Sequence, residues 1–111
     1  MDLITPQLCS MIQRQFPIGS QEGLGDNAKV LVKLFFPAGR YTFFVTEGEP
    51  QGDDFLLFGY CVSALGEDCD EWGYASLSEL RSVRVRGLSM ERDLDVRFAA
   101  RTVAELKRTA A

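Results

Sequence analysis

Between Leu65 and Tyr74 the chain reads LGEDCDEWGY. Glu67, Asp68, Asp70 and Glu71 crowd around Cys69 and lead into the single tryptophan, Trp72. Carboxylate oxygens at that density are ligands for hard cations, so calcium or magnesium binding is the first chemistry to consider. A calcium loop spaces its ligands and bends at a glycine. The run EDCDE does neither, and it reads instead as a turn entering a strand, with a docking role as the alternative. The charges of Asp68 and Asp70 disfavour a thiolate at Cys69. Cys9, Cys61 and Cys69 are odd in number and far apart, which points to reduced thiols and cannot supply a four-cysteine zinc site. The sequence contains no histidine, which removes the usual general base, the usual partner of a nucleophile and the commonest zinc ligand. On these grounds no catalytic residue, metal or cofactor is assigned, and catalysis is disfavoured.

Arg92, in the run MERDL, is the other residue with chemical content. Strand alternation puts it on the apolar side, with Met90 and Leu94, where a guanidinium has to be paired. Its planar fork suits a carboxylate. The expected role is a structural ion pair with Glu71 or Glu79 that locks the last strand to the Glu71–Glu79 segment. In the alternative, Arg92 clamps an anionic substrate beside Glu47, Glu71 or Glu91, with Glu91 or Asp93 as acid or base.

The elements that position these groups follow from periodicity and punctuation. TPQLCSMIQRQF predicts a helix with Thr5 as N-cap, Pro6 in its first turn, and Leu8, Met11, Ile12 and Phe16 on one face. GSQEGLGDN is a polar loop. AKVLVKLFFP and RYTFFVTEG predict a hairpin joined at PAGR, FLLFGYCVS a third strand and EWGYAS a short fourth. Ser76 with Glu79, and Thr102 with Glu105, form capping boxes for a short middle helix and a C-terminal helix. LSMERDLDVRF alternates cleanly and predicts a half-exposed strand. The fold class expected is α+β, a single antiparallel sheet of about five strands with the three helices packed on it, because closely spaced hairpins cannot make parallel pairs.

At 111 residues, 46% hydrophobic and 25% charged, the chain has the size and composition of one globular domain spanning 1–111. No apolar run approaches the ~20 residues of a membrane span, and the start lacks the basic and apolar regions of a secretory signal. A cytoplasmic protein with no membrane association is expected. The net charge of −4 conceals strong segregation. Residues 1–40 carry four basic and three acidic groups, and residues 81–111 carry eight and four. Residues 41–80 carry nine acidic groups and no Lys or Arg. Two loops hold most of that charge, 47–54 and 67–71, and they should lie at opposite ends of the third strand. Nucleic-acid binding needs a clustered basic footprint, so none is expected.

Two motifs, Glu71-x-Gly73-Tyr74-x-Ser76-Leu77-x-Glu79-Leu80 and Gly87-Leu88-x-x-Glu91-Arg92-Asp93-Leu94, occur together with an early TPQL, VKLFFPAG followed by YTFFVTE, and FGY. In this combination the chain resembles a bacterial family, domain of unknown function 2958, over nearly its whole length. The resemblance implies a small cytoplasmic protein often carried on plasmids and integrated mobile elements. It brings no activity or catalytic residues to transfer.

The expectation is therefore a non-enzymatic, acidic protein-interaction module, an accessory protein of a mobile element. It would present Asp53, Asp54, Glu67, Asp68, Asp70, Glu71 and Trp72 to a basic protein surface, one version being nucleic-acid mimicry against a host defence complex. The competing expectation is a small enzyme or anionic-ligand-binding protein built on Arg92 and its neighbouring carboxylates.

Overall fold

The computed structural model describes residues 2–63 and 70–109. Its main sheet has five antiparallel strands: β1 (Val32–Phe35), β2 (Thr42–Gln51), β3 (Asp54–Val62), β4 (Glu71–Ser76) and, later in the chain, β7 (Glu91–Arg92). They lie in the order β4-β3-β2-β1-β7. A separate ribbon pairs β5 (Arg84–Val85) with β6 (Leu88–Ser89). The helices are α1 (Pro6–Gln15), α2 (Leu77–Ser82) and α3 (Val103–Thr109). The architecture is α+β, with three helices and a five-stranded antiparallel sheet, as the patterning implies.

Alternation sorts the sheet into two faces. Val32, Leu34, Phe43, Val45 and Leu57 share the larger core with Ile4, Ile12 of α1 and Leu77 and Leu80 of α2. The other face carries Phe44, on which Val103 and Leu106 of α3 pack, with Tyr60 and Trp72 partly buried at the margin. Each helix starts where its cap predicts. Thr5 Oγ1 accepts from the Leu8 N–H at 3.2 Å. Ser76 Oγ accepts from the Glu79 N–H, and Thr102 exchanges hydrogen bonds with Glu105 in both directions. These bonds satisfy N–H groups that the helix leaves without partners.

The strand expected over 88–98 does not form as one piece. Arg86 (φ 53°) and Gly87 (φ 80°) both take left-handed backbone, the signature of a two-residue hairpin turn, so Leu88 pairs with Val85 instead of joining the main sheet. Glu91 and Arg92 alone pair with β1, and the chain then turns away. Met90 is buried, but Leu94 is 67% exposed, so the predicted apolar face is broken.

A bulge in β2 sets up the second face. Val45 pairs with Gly59, but the next partner of β3, Phe58, lies opposite Glu47, leaving Thr46 as the extra residue. Without it, Glu47 would fall on the face covered by α1; bulges re-aim side chains in this way. The backbone of Phe44 comes so close that a Cβ on Gly59 would lie 2.0 Å from its carbonyl oxygen, whereas a Cβ on Gly73, paired across from Gly59, would meet nothing within 4 Å. Gly59→Ala should therefore destabilise the fold by about 3 kcal/mol or more, as overpacking against backbone does. Gly73→Ala should change stability by less than about 1 kcal/mol. Paired urea melts check the contrast.

Candidate functional site

On the second face, α3 leaves part of β3 and β4 uncovered, and three aromatic rings lie there in contact. Phe58 stacks on Trp72 with centroids 5.8 Å apart and planes 20° from parallel, and Tyr74 tilts against Phe58 at 4.7 Å. Tyr60 meets Trp72 edge-on at 5.5 Å, and Lys107 sits 4.2 Å over the Tyr60 ring while pairing with Asp26. Tyr74 is 62% exposed. Facing this shelf is the polar loop 18–25, and between them lies a cavity of about 570 Å³. That is within the range of small-ligand pockets. Its lining includes Glu22, Thr46, Glu47 and the three rings, and no Lys or Arg.

The loop is held by carboxylates from β2. Glu47, 3% exposed, accepts the Gly19 N–H on one oxygen at 2.7 Å and the Gln21 N–H on the other at 2.8 Å. Glu49 accepts the Ile18 N–H at 3.3 Å. The buried amide of Gln21 completes the seam, donating to the carbonyls of Lys29 and Thr46 and accepting from the Lys29 N–H. A glycine-bearing loop with converging N–H groups is ordinarily a nest for an external anion. Here the anion is internal.

The other predicted acidic residues have divided roles. Asp70 is gripped by Arg40 through two parallel bonds of 2.9 Å and accepts the Ser63 N–H, tying the β1–β2 turn to the entry of β4. Asp54 accepts from the backbone and hydroxyl of Ser78 and from the Phe55 N–H, securing the start of α2. Glu22, Asp53, Glu71 and Glu79 have side chains that make no hydrogen bond or ion pair among the described residues. Glu67, Asp68 and Cys69 lie outside the described residues. Asp53 and Asp54 sit at one end of β3 and Asp70 and Glu71 beside the other, so the described carboxylates do not merge into one patch.

Arg92 does not pair with Glu71 or Glu79. It donates to the backbone carbonyls of Asp2 and Leu3, at 3.1 and 2.8 Å. For Glu71 the reason is topological: β7 and β4 are opposite edges of the sheet. Four interstrand steps of about 4.8 Å separate them. Glu47 is also kept from an Arg92-centred site, being two strands away and engaged by the loop. The bidentate ion pair among the described residues is Arg40–Asp70. Among the described residues, no group of three Cys, Asp or Glu side chains is placed to hold a metal ion.

Sequence reasoning singled out Trp72, Tyr74 and Tyr60 but missed Phe58, Glu22 and the loop as one site. The signal was present as two period-2 aromatic pairs, Phe58/Tyr60 and Trp72/Tyr74, and as glycines at 19, 23 and 25. The bulge that brings Glu47 to the same place has no sequence mark.

The comparisons agree with the motif reading. The family described as "Protein of unknown function (DUF2958)" matches residues 3–110, and the chain belongs to that family. No curated protein and no solved structure matches the chain.

Two outcomes test the geometry. Glu47→Ala leaves two loop N–H groups without their charged acceptor and should cost about 3 kcal/mol or more, with Glu47→Gln losing roughly half as much. Urea melts measure the loss, and faster amide exchange at Gly19 and Gln21 localises it. The hydrogen bond and charge of Arg40 hold the Asp70 carboxyl below its ordinary 3.8, and the hydroxyl of Ser78 does the same for Asp54. A depressed carboxyl contributes its stability in full above the unfolded value and loses it as pH falls through the lower, folded one. Stability should therefore hold at neutral pH and fall below about pH 4. Melts of Asp70→Asn should be lower near neutrality and show a shallower acid limb.

Proposed function

We propose that this member of the DUF2958 family is a non-enzymatic interaction module that docks a positively charged surface of another protein through the β3–β4 half of its sheet. The observation that carries the reading is the polarity of the sheet. Strands β2, β3 and β4 bear Glu47, Glu49, Asp54 and Glu71 and no basic residue, whereas β1 bears Lys33 and β7 carries Arg92 beside Glu91. On the acidic half, the exposed ring of Tyr74 and the half-buried Trp72 lie beside the carboxylate of Glu22, which has no hydrogen-bond or ion-pair partner among the described residues. Aromatic anchors rimmed by charge are the usual anatomy of an interaction hot spot, and complementary fields steer encounter.

This moves the contact surface from where the acidic tract alone puts it. Trp72 remains in the docking set; Glu71 falls on the opposite face of the sheet, Asp53 lies just before β3, and Asp70 and Asp54 serve the fold. Phosphate mimicry needs carboxylates free to face the partner. Among those described in the acidic tract, Glu47, Glu49, Asp54 and Asp70 are engaged internally, so the supported form of the reading is recognition of basic side chains. The competing enzyme or anion-binding reading centres on Arg92, whose guanidinium is already engaged by two carbonyls. Carriage on a mobile element belongs to this proposal as the setting in which such a partner would be met.

A flexible peptide of alternating arginine and glycine should bind the full chain, and a glutamate–glycine peptide should not. Affinity should fall as salt rises through the range where exposed charges are screened. Glu22→Gln should weaken binding about two- to fivefold, the worth of an exposed charge pair. Failure of the arginine peptide to bind at low salt would overturn the reading.

A further inference from the structure

From the cavity between loop 18–25 and the aromatic shelf, we infer a binding site for a guanidinium group: the docking partner inserts an arginine side chain there. The inference rests on the docking reading and specifies its central contact.

Three features of the cavity select a cation. Glu47 lines it while 97% removed from solvent, and no Lys or Arg pairs with it among the described residues. Its two backbone donors stabilise the carboxylate but bring no formal positive charge, so the partly open space beside it lies in a negative field. Glu22 adds a second carboxylate at the rim, exposed and without a hydrogen-bond or ion-pair partner among the described residues. The third feature is the shelf. The faces of Phe58, Trp72 and Tyr74 carry the negative part of each ring quadrupole, and a cation near them gains attraction beyond apolar contact. Lys107 offers no substitute, since it is held over Tyr60 by Asp26.

Among cations, the shape favours arginine. A guanidinium is planar, less strongly hydrated than an ammonium, stacks flat on rings and offers parallel N–H donors to a carboxylate. A broad surface of contacting rings beside two carboxylates matches that combination. A compact ammonium could use the carboxylates but would gain less from the flat shelf. An external anion has no comparable place, because the loop donors that would hold it are filled by Glu47.

The test uses single residues, so that the cavity is probed without the rest of a partner. Nα-acetyl-arginine methylamide is titrated into the full chain, with its citrulline analogue as the neutral isostere and with lysine and tetramethylammonium probes. Trp72 is the chain's one tryptophan, so its emission reports on the shelf alone. The arginine compound should change that emission saturably, and citrulline should bind at least about tenfold more weakly. Tyr74→Ala and Glu22→Gln, both at exposed positions, should each weaken arginine binding about three- to tenfold with unchanged melting temperature. If the arginine compound causes no saturable change while the arginine–glycine peptide still binds, the cavity assignment fails and docking through the rim survives. If neither binds, both fall. Equal affinity for lysine or tetramethylammonium would overturn the choice of a guanidinium.

Discussion

The Glu47 carboxylate holds this structure's second face together. It brings a negative charge into the interior and closes a loop around it, using the Gly19 and Gln21 N–H groups as its counterweight. Such an arrangement stands because backbone donors to an ionised acceptor are among the stronger hydrogen bonds a protein makes. The bulge at Thr46 puts Glu47 on the right side of the sheet. Gly59, which has no room for a side chain, lets the neighbouring strand accommodate it. Bulge, glycine, carboxylate and loop form one device, and the wall of the cavity is its product.

The acidic middle third of the chain has a different meaning in three dimensions than in one. A run without Lys or Arg suggests a surface left open for a partner. The fold instead engages Glu47 and Glu49 with a loop backbone, Asp54 with the start of a helix and Asp70 with Arg40, the last basic residue before the tract. Carboxylates are suited to such tasks because each oxygen accepts more than one donor. Charge counts therefore overstate how much of the tract is available for recognition. What remains among the described residues is sparser: Asp53 just before β3, Glu71 on the face of the larger core and Glu79 on α2. The free carboxylate that borders the aromatic shelf, Glu22, comes from outside the tract.

Much of the fold was legible because local signals agreed with one another. EWGYAS, between a charged turn and a capping serine, forms β4 with the bounds its pattern gives, and the Thr5, Ser76 and Thr102 caps open their helices. LSMERDLDVRF shows the limit of that logic. Its alternation is as regular as any in the chain, but the turn at Arg86–Gly87 captures Leu88, and a turn after Asp93, whose carbonyl accepts the Val96 N–H, ends the segment's extended course. Period 2 records which residues could share a face, not whether the chain stays straight long enough for them to do so. The Arg92 pairing was missed for a related reason: strand order decides which residues are neighbours, and sequence does not print it. The site was half legible, its rings visible as pairs and its carboxylate hidden behind a bulge.

The exposure of the shelf follows from the lengths of the elements that could cover it. The seven residues of α3 span about 10 Å, at 1.5 Å each. The nine of β3 extend for nearly 30 Å, at about 3.3 Å each. A helix that short covers Phe44 and the near edges of Tyr60 and Trp72 and stops before Phe58 and Tyr74. The loop that could fill the remaining area is drawn back against β2 by Glu47, Glu49 and Gln21, so it forms a wall instead of a lid. Leaving aromatic surface in water forgoes burial energy that a longer helix or an apolar loop would recover. The same hydrogen bonds that stabilise the loop thus keep the rings uncovered, which couples the stability of the second face to its capacity to bind.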